Sequence, residues 1–177
     1  GAMGMVARVA DFFGLKRKVV EEAQASTVTL PVPDKAGNEI DLEFTKNMIK
    51  EHEGLSLKPY PDAGGQSVGY GHFMKDGEVF DNMTKERADA LFEEDFPKYL
   101  KAAQTIPGWN RASSRRKAAL VDLTYNMGVN WWKTWNETPK AIARGDYDRA
   151  ADLLENTLWY KQVGKRGPAI VDMIRRG

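Results

Sequence analysis

Two carboxylates and a hydroxyl stand close together in the stretch Glu53-Gly54-Leu55-Ser56-Leu57-Lys58-Pro59-Tyr60-Pro61-Asp62-Ala63-Gly64-Gly65-Gln66-Ser67-Val68-Gly69-Tyr70-Gly71-His72. Glu53 falls at the last turn of a predicted helix, where the negative end of the helix dipole favours a protonated carboxyl. Asp62 opens a glycine-rich turn, and Ser67 offers a hydroxyl on the returning strand. Gly69 and Gly71 are expected to let a polymer approach the backbone closely. Paired carboxyl groups across a cleft are what glycosidic cleavage requires. One protonates the leaving oxygen, while the other activates water or stabilises positive charge at the anomeric carbon.

Composition removes the main rival chemistries. The chain has 177 residues, no cysteine and only two histidines. Thiolate nucleophiles, thiolate metal sites and three-histidine zinc sites are therefore excluded, and no metal or cofactor is implied. No run approaches the roughly 18 apolar residues of a membrane span. Gly1-Ala2-Met3-Gly4 reads as a cloning scar before a start at Met5. Asp11, followed by Lys16-Arg17-Lys18, interrupts what a secretory signal would need, so synthesis in the cytoplasm of a bacterial host is the expectation.

The net charge of +1 is unevenly spread. Residues 1–40 carry five basic and five acidic side chains, residues 41–105 eight against thirteen, and residues 106–177 thirteen against seven. The basic half can orient the chain on an anionic polymer. A nucleic-acid reading finds no phosphate loop and no basic-aromatic sheet motif to support it.

The elements that must position the carboxylates follow from periodicity and punctuation. An apolar stripe predicts a helix over 5–24, then a linker through Pro31, Pro33 and Gly37. A helix over 42–53 is expected to stop at Gly54. From Leu55 to Phe80 the glycines and prolines predict a small antiparallel sheet with two turns. After Asn82 the pattern is helical. Thr84 caps one helix that Pro97 should kink or break, Ser113 caps a helix ending at Gly128, and further helices are expected over 136–143, 147–158 and 168–175. The fold class is α+β. Residues 5–40 form an N-terminal helix and linker, and residues 41–177 form a catalytic domain with lobes over about 41–83 and 84–177.

From about Phe44 to the C-terminus the chain resembles the phage-type lysozymes, the endolysins of glycoside hydrolase family 24. The resemblance rests on Glu53-Gly54, Asp62, the Ser67-Val68-Gly69-Tyr70-Gly71-His72 strand, Leu123-Thr124-Tyr125-Asn126-Met127-Gly128, Trp159-Tyr160 and Arg166. It implies a two-lobed lysozyme-like fold with its cleft between the lobes. The implied substrate is peptidoglycan, cut at the β-1,4 bond between N-acetylmuramic acid and N-acetylglucosamine. Glu53 takes the place of the general acid and Asp62 that of the carboxylate handling the water. Ser67 replaces the usual threonine as hydroxyl partner. Phe73, Tyr125 and Thr138 align with saccharide contacts, whereas Leu153 stands where relatives carry an asparagine.

The resemblance also places Arg166 beside Glu53, ordering the carboxylate while opposing its protonation, and pairs His72 with Asp95. His52 is read as lying on another helical face and receives no role. Asn126 can bond either Trp159 or sugar, and Trp159 is the leading core tryptophan. Lytic transglycosylation and a non-catalytic wall-binding or virion module are the alternatives. Asp62 with Ser67 argues against the first and an intact Glu53 against the second. A monomer without a stable membrane anchor is expected, reaching murein after holin-type release or from the virion.

Overall fold

In the computed structural model, residues 37–177 are described, so the helix predicted over 5–24 and most of the linker lie outside the described residues. Helix α1, Leu42–Glu53, begins at Asp41, whose carboxylate accepts the Phe44 N–H at 3.0 Å. It stops at Gly54, which takes φ 71°, a value that only glycine reaches cheaply. The chain therefore turns directly from Glu53 into the sheet.

The sheet is an antiparallel meander of β1 (Ser56–Asp62), β2 (Gly65–Gly69) and β3 (His72–Phe73). Ala63 and Gly64, both at positive φ, form the two-residue hairpin turn that matches the right-handed twist of the flanking strands. This fixes the register Asp62↔Gly65 and Tyr60↔Ser67, with Ser67 paired to Phe73 on the other side. Asp62 and Ser67 are thus diagonal neighbours on one face.

Seven helices occur among the described residues: α1, α2 (Lys85–Ala103), α3 (Ser114–Met127), α4 (Glu137–Ala143), α5 (Tyr147–Glu155), α6 (Leu158–Gln162) and α7 (Arg166–Arg176). Short 3-10 turns at Trp109–Arg111 and Trp131–Thr134 complete the chain. Helix α3 is the centre. Ser113 caps it, Gly128 closes it, and the whole run Lys117–Met127 is buried, as expected of a helix surrounded by others. Helices α1, α2 and α7 pack on it, and α5 packs on α7. Arg116 of α3 donates to the carbonyls of Ile174 and Arg175 at 2.7 and 2.9 Å, satisfying the open end of α7.

Two predicted boundaries are corrected. Helix α2 runs through Pro97 without a break. The proline costs the bond to the Glu93 carbonyl, but Phe92, Phe96, Tyr99 and Ala103 anchor both halves in the core. The helix predicted over 147–158 ends at Glu155, and a separate five-residue helix follows. There the Thr157 hydroxyl caps Tyr160 N–H, and Trp159 is buried. The N-terminal approach is docked as well. Gly37 accepts the Ser114 N–H, and Asn38 accepts a bond from the Lys117 ammonium.

Candidate active site

Glu53 ends α1 and is only 1% exposed. Its Oε2 accepts from Arg166 Nη1 at 2.7 Å, bringing together residues 113 positions apart. Arg166 stands at the first turn of α7, which packs on α3. The same guanidinium donates through Nε to Asp122 Oδ1 on α3 at 2.8 Å. The expected Glu53–Arg166 pairing is therefore present, but the cation is shared between two carboxylates.

On the hairpin, the Ser67 hydroxyl donates to Asp62 Oδ2 at 2.6 Å, and both side chains are buried. The bond follows from the register: the two-residue turn brings Ser67 diagonally across from Asp62 on the same face. Phe73 lies on this face too. A Cβ on Gly65 would come within 2.8 Å of the Phe73 ring, so Gly65 is required for the ring to lie over the hairpin.

His72 joins Asp95 through Nδ1 at 2.5 Å, as expected, and also Glu78 through Nε2 at 3.0 Å. Burial works against the imidazolium, but these two carboxylates outweigh it and raise the His72 pKa. The backbone N–H of Lys75, with His72 behind it, keeps the Glu78 carboxyl below its usual value. This clamp ties the end of the sheet to α2.

Asn126 bonds Trp159: its Oδ1 accepts the indole N–H at 2.8 Å. Trp159 itself is 1% exposed. Tyr125 sits in the packing between α2 and α3. It is buried against Phe92 and Tyr99, and its hydroxyl donates to the Tyr70 carbonyl at 2.5 Å, which holds the β2–β3 connection onto α3. Thr138 is likewise buried near the start of α4. Gly69 and Gly71 are buried, and Gly69, at φ 67°, lies against Ala88. They serve the tight return of the chain.

The reading of His52 is also corrected. It is buried, and its Nδ1 bonds Asp122 Oδ2 at 2.7 Å, so it joins the network that holds Glu53. Its place four residues after Met48 and three after Ile49 puts it on the inner stripe of α1, and that spacing was the available signal. Asp122 was missed altogether. An aspartate inside the apolar run Ala118–Leu123 is the feature that marks it. Burial opposes its charge, but Arg166 and His52 hold its carboxyl low. Among the described residues no cluster of three histidines or carboxylates is placed to hold a metal ion.

A buried carboxyl at a helix end, next to a hairpin carrying a carboxylate–hydroxyl pair, in a small sheet lobe against a helical lobe, defines a lysozyme-like α+β hydrolase. The family model for phage lysozyme matches residues 50–176, and the chain belongs to that family. It is 26% identical over 190 aligned positions to the pre-baseplate central spike protein Gp5 of Enterobacteria phage T4, covering 90% of this chain but 33% of the spike protein. A probable T4-type lysozyme of Dictyostelium discoideum is 24% identical, over 75% of this chain and 94% of its own length. The endolysin of Acyrthosiphon pisum secondary endosymbiont phage 1 is 30% identical, over 68% of this chain and 82% of its own length.

Proposed function

We propose that this chain is a peptidoglycan muramidase that cleaves the β-1,4 bond after N-acetylmuramic acid with inversion. Glu53 donates its proton to the glycosidic oxygen. Water attacks the anomeric carbon from the opposite face, and Asp62 orients it and takes up its proton. The Ser67 hydroxyl, bonded to one oxygen of Asp62, fixes the rotation of that carboxylate. Phe73, beside the pair, forms cleft wall. Arg166 orders Glu53.

The observation that carries this reading is the Asp62–Ser67 bond. Intramolecular 1,6-anhydro formation needs no activated water, so a carboxylate held by a dedicated donor argues for hydrolysis. Digesting purified murein and separating the products by mass tests it. Reducing muramic ends, one water heavier than anhydro products, are expected; anhydro ends would refute hydrolysis. NMR of fresh product should show the α-anomer first, and net retention would remove the water-activating role from Asp62.

The place of action is a second question. The spike protein's alignment spans 90% of this chain and a third of the larger protein, which supports a domain carried on a phage particle as well as a free endolysin. Mass spectrometry of purified virions decides between them: peptides of this chain in washed particles support the first. Elution of the isolated chain at monomer size is expected.

A further inference from the structure

Four buried ionisable groups are joined end to end: His52 to Asp122 at 2.7 Å, Asp122 to Arg166 at 2.8 Å, and Arg166 to Glu53 at 2.7 Å. Their exposures run from 0 to 5%. The proposed reaction uses only Glu53 as acid and Arg166 as its support, so His52 and Asp122 have no assigned part. We propose that His52 and Asp122 are positioning residues for the catalytic acid, which set through Arg166 whether Glu53 holds a proton. This rests on Glu53 being the general acid.

The argument is one of charge in a dry place. A guanidinium stays protonated at every working pH. Asp122, bonded through both oxygens and held low by Arg166 and His52, stays ionised. These two cancel. What is left is His52 and Glu53, at opposite ends of the bridge. Buried net charge is costly, so the favoured arrangements are neutral His52 with protonated Glu53, or imidazolium with carboxylate. The charge states of the two groups are then tied to one another through the bridge. Only the first arrangement can donate a proton to substrate. In both, Nδ1–H donates to Asp122, so the proton shift needs no rearrangement of the bond.

The surroundings leave this balance undisturbed. On the other side of α1, Lys46 and Lys50 are taken up by Glu93 and Asp89 of α2. On α3, Lys117 is directed to the Asn38 carbonyl. On α7, Asp172 is committed to Arg115 and Arg176, and Arg175 to α5 carboxylates. The sheet contributes Asp62, held by Ser67.

The test uses the full chain and two variants with opposite expectations. His52→Gln can still donate to Asp122 but cannot take the proton, so the alkaline limb of the pH profile for kcat/KM should move up by roughly one unit. Asp122→Asn leaves the Arg166 charge to Glu53 alone, so the same limb should move down by roughly one unit. Shifts in the same direction, or no shift in either folded variant, would overturn the proposal. A second readout needs no activity. The chain has two histidines, so the imidazole NMR signals of His52 and His72 can be followed separately. Glu53→Gln should lower the His52 midpoint and leave that of His72 in place; an unmoved His52 also overturns it. Should Glu53→Gln remain active, the acid assignment itself fails, and the two failures are thereby told apart.

Discussion

Removing the hydroxyl of Ser67 isolates the water-handling half of the site. The bond to Asp62 is short, at 2.6 Å, buried and made to a carboxylate, so its net worth is about 1.5–3 kcal/mol. If it acts only by holding Asp62 in its working rotation, Ser67→Ala should lower kcat/KM by roughly 10- to 150-fold. The fold should persist, since the register is set by backbone pairing and the Ala63-Gly64 turn. Ser67→Thr probes the same bond from the other side. Threonine keeps the hydroxyl and narrows its rotamers on a strand, but Ser67 has no exposed surface, and an added methyl there costs about 1–3 kcal/mol of packing. Activity within about threefold of wild type is expected, with a melting temperature lower by roughly 2–10 °C. Reducing-end release from purified murein measures the rates, and calorimetry the stability. A folded Ser67→Ala protein within twofold of wild type would refute the reasoning, because Asp62 would then need no partner.

Glu53→Gln should lose at least ~100-fold in activity, because an amide cannot donate the proton. Its melting temperature should not fall, since Arg166 keeps Asp122 and the Gln carbonyl still accepts. Turbidity loss and thermal melts report both. For His72, whose pKa is raised in the fold, the stabilisation is full below the unfolded value near about 6.5 and is lost as pH rises through the folded value. The melting-temperature gap between wild type and His72→Gln should therefore be wide at mildly acid pH and narrow in alkali. Deleting residues 1–36 should leave murein hydrolysis within about threefold of wild type. Cutting through Asn38 should cost stability, because it removes the acceptors for Ser114 N–H and the Lys117 ammonium.

Much of the frame was legible because local chemistry and tertiary structure agree. Thr84 or Ser113 before a helix, and Gly54 or Gly128 after one, satisfy end groups that no distant contact can replace. The Asp62–Ser67 spacing was legible for the same reason, since a two-residue turn fixes it. Pro97 misled because burial on both sides outweighs one lost backbone bond. Helix α6 escaped because five residues carry little periodicity, and a cap with one buried tryptophan holds them. Asp122 and His52 escaped because their partners lie 44 and 70 residues away along the chain. Tyr125 and Thr138 were read from resemblance alone, and their burial was not legible because their neighbours come from distant parts of the chain.

The proline within α2 has a mechanical meaning. Ahead of it, Ala88 and Asp95 hold the sheet and Phe92 packs on Tyr125 of α3; beyond it, Tyr99 packs on the same Tyr125. The missing Glu93–Pro97 link lies in the middle of these contacts, like a scored line across a rod. Bending strain on the helix concentrates where the ladder has a rung missing. A rod scored in this way yields there before it yields where its bonds are whole.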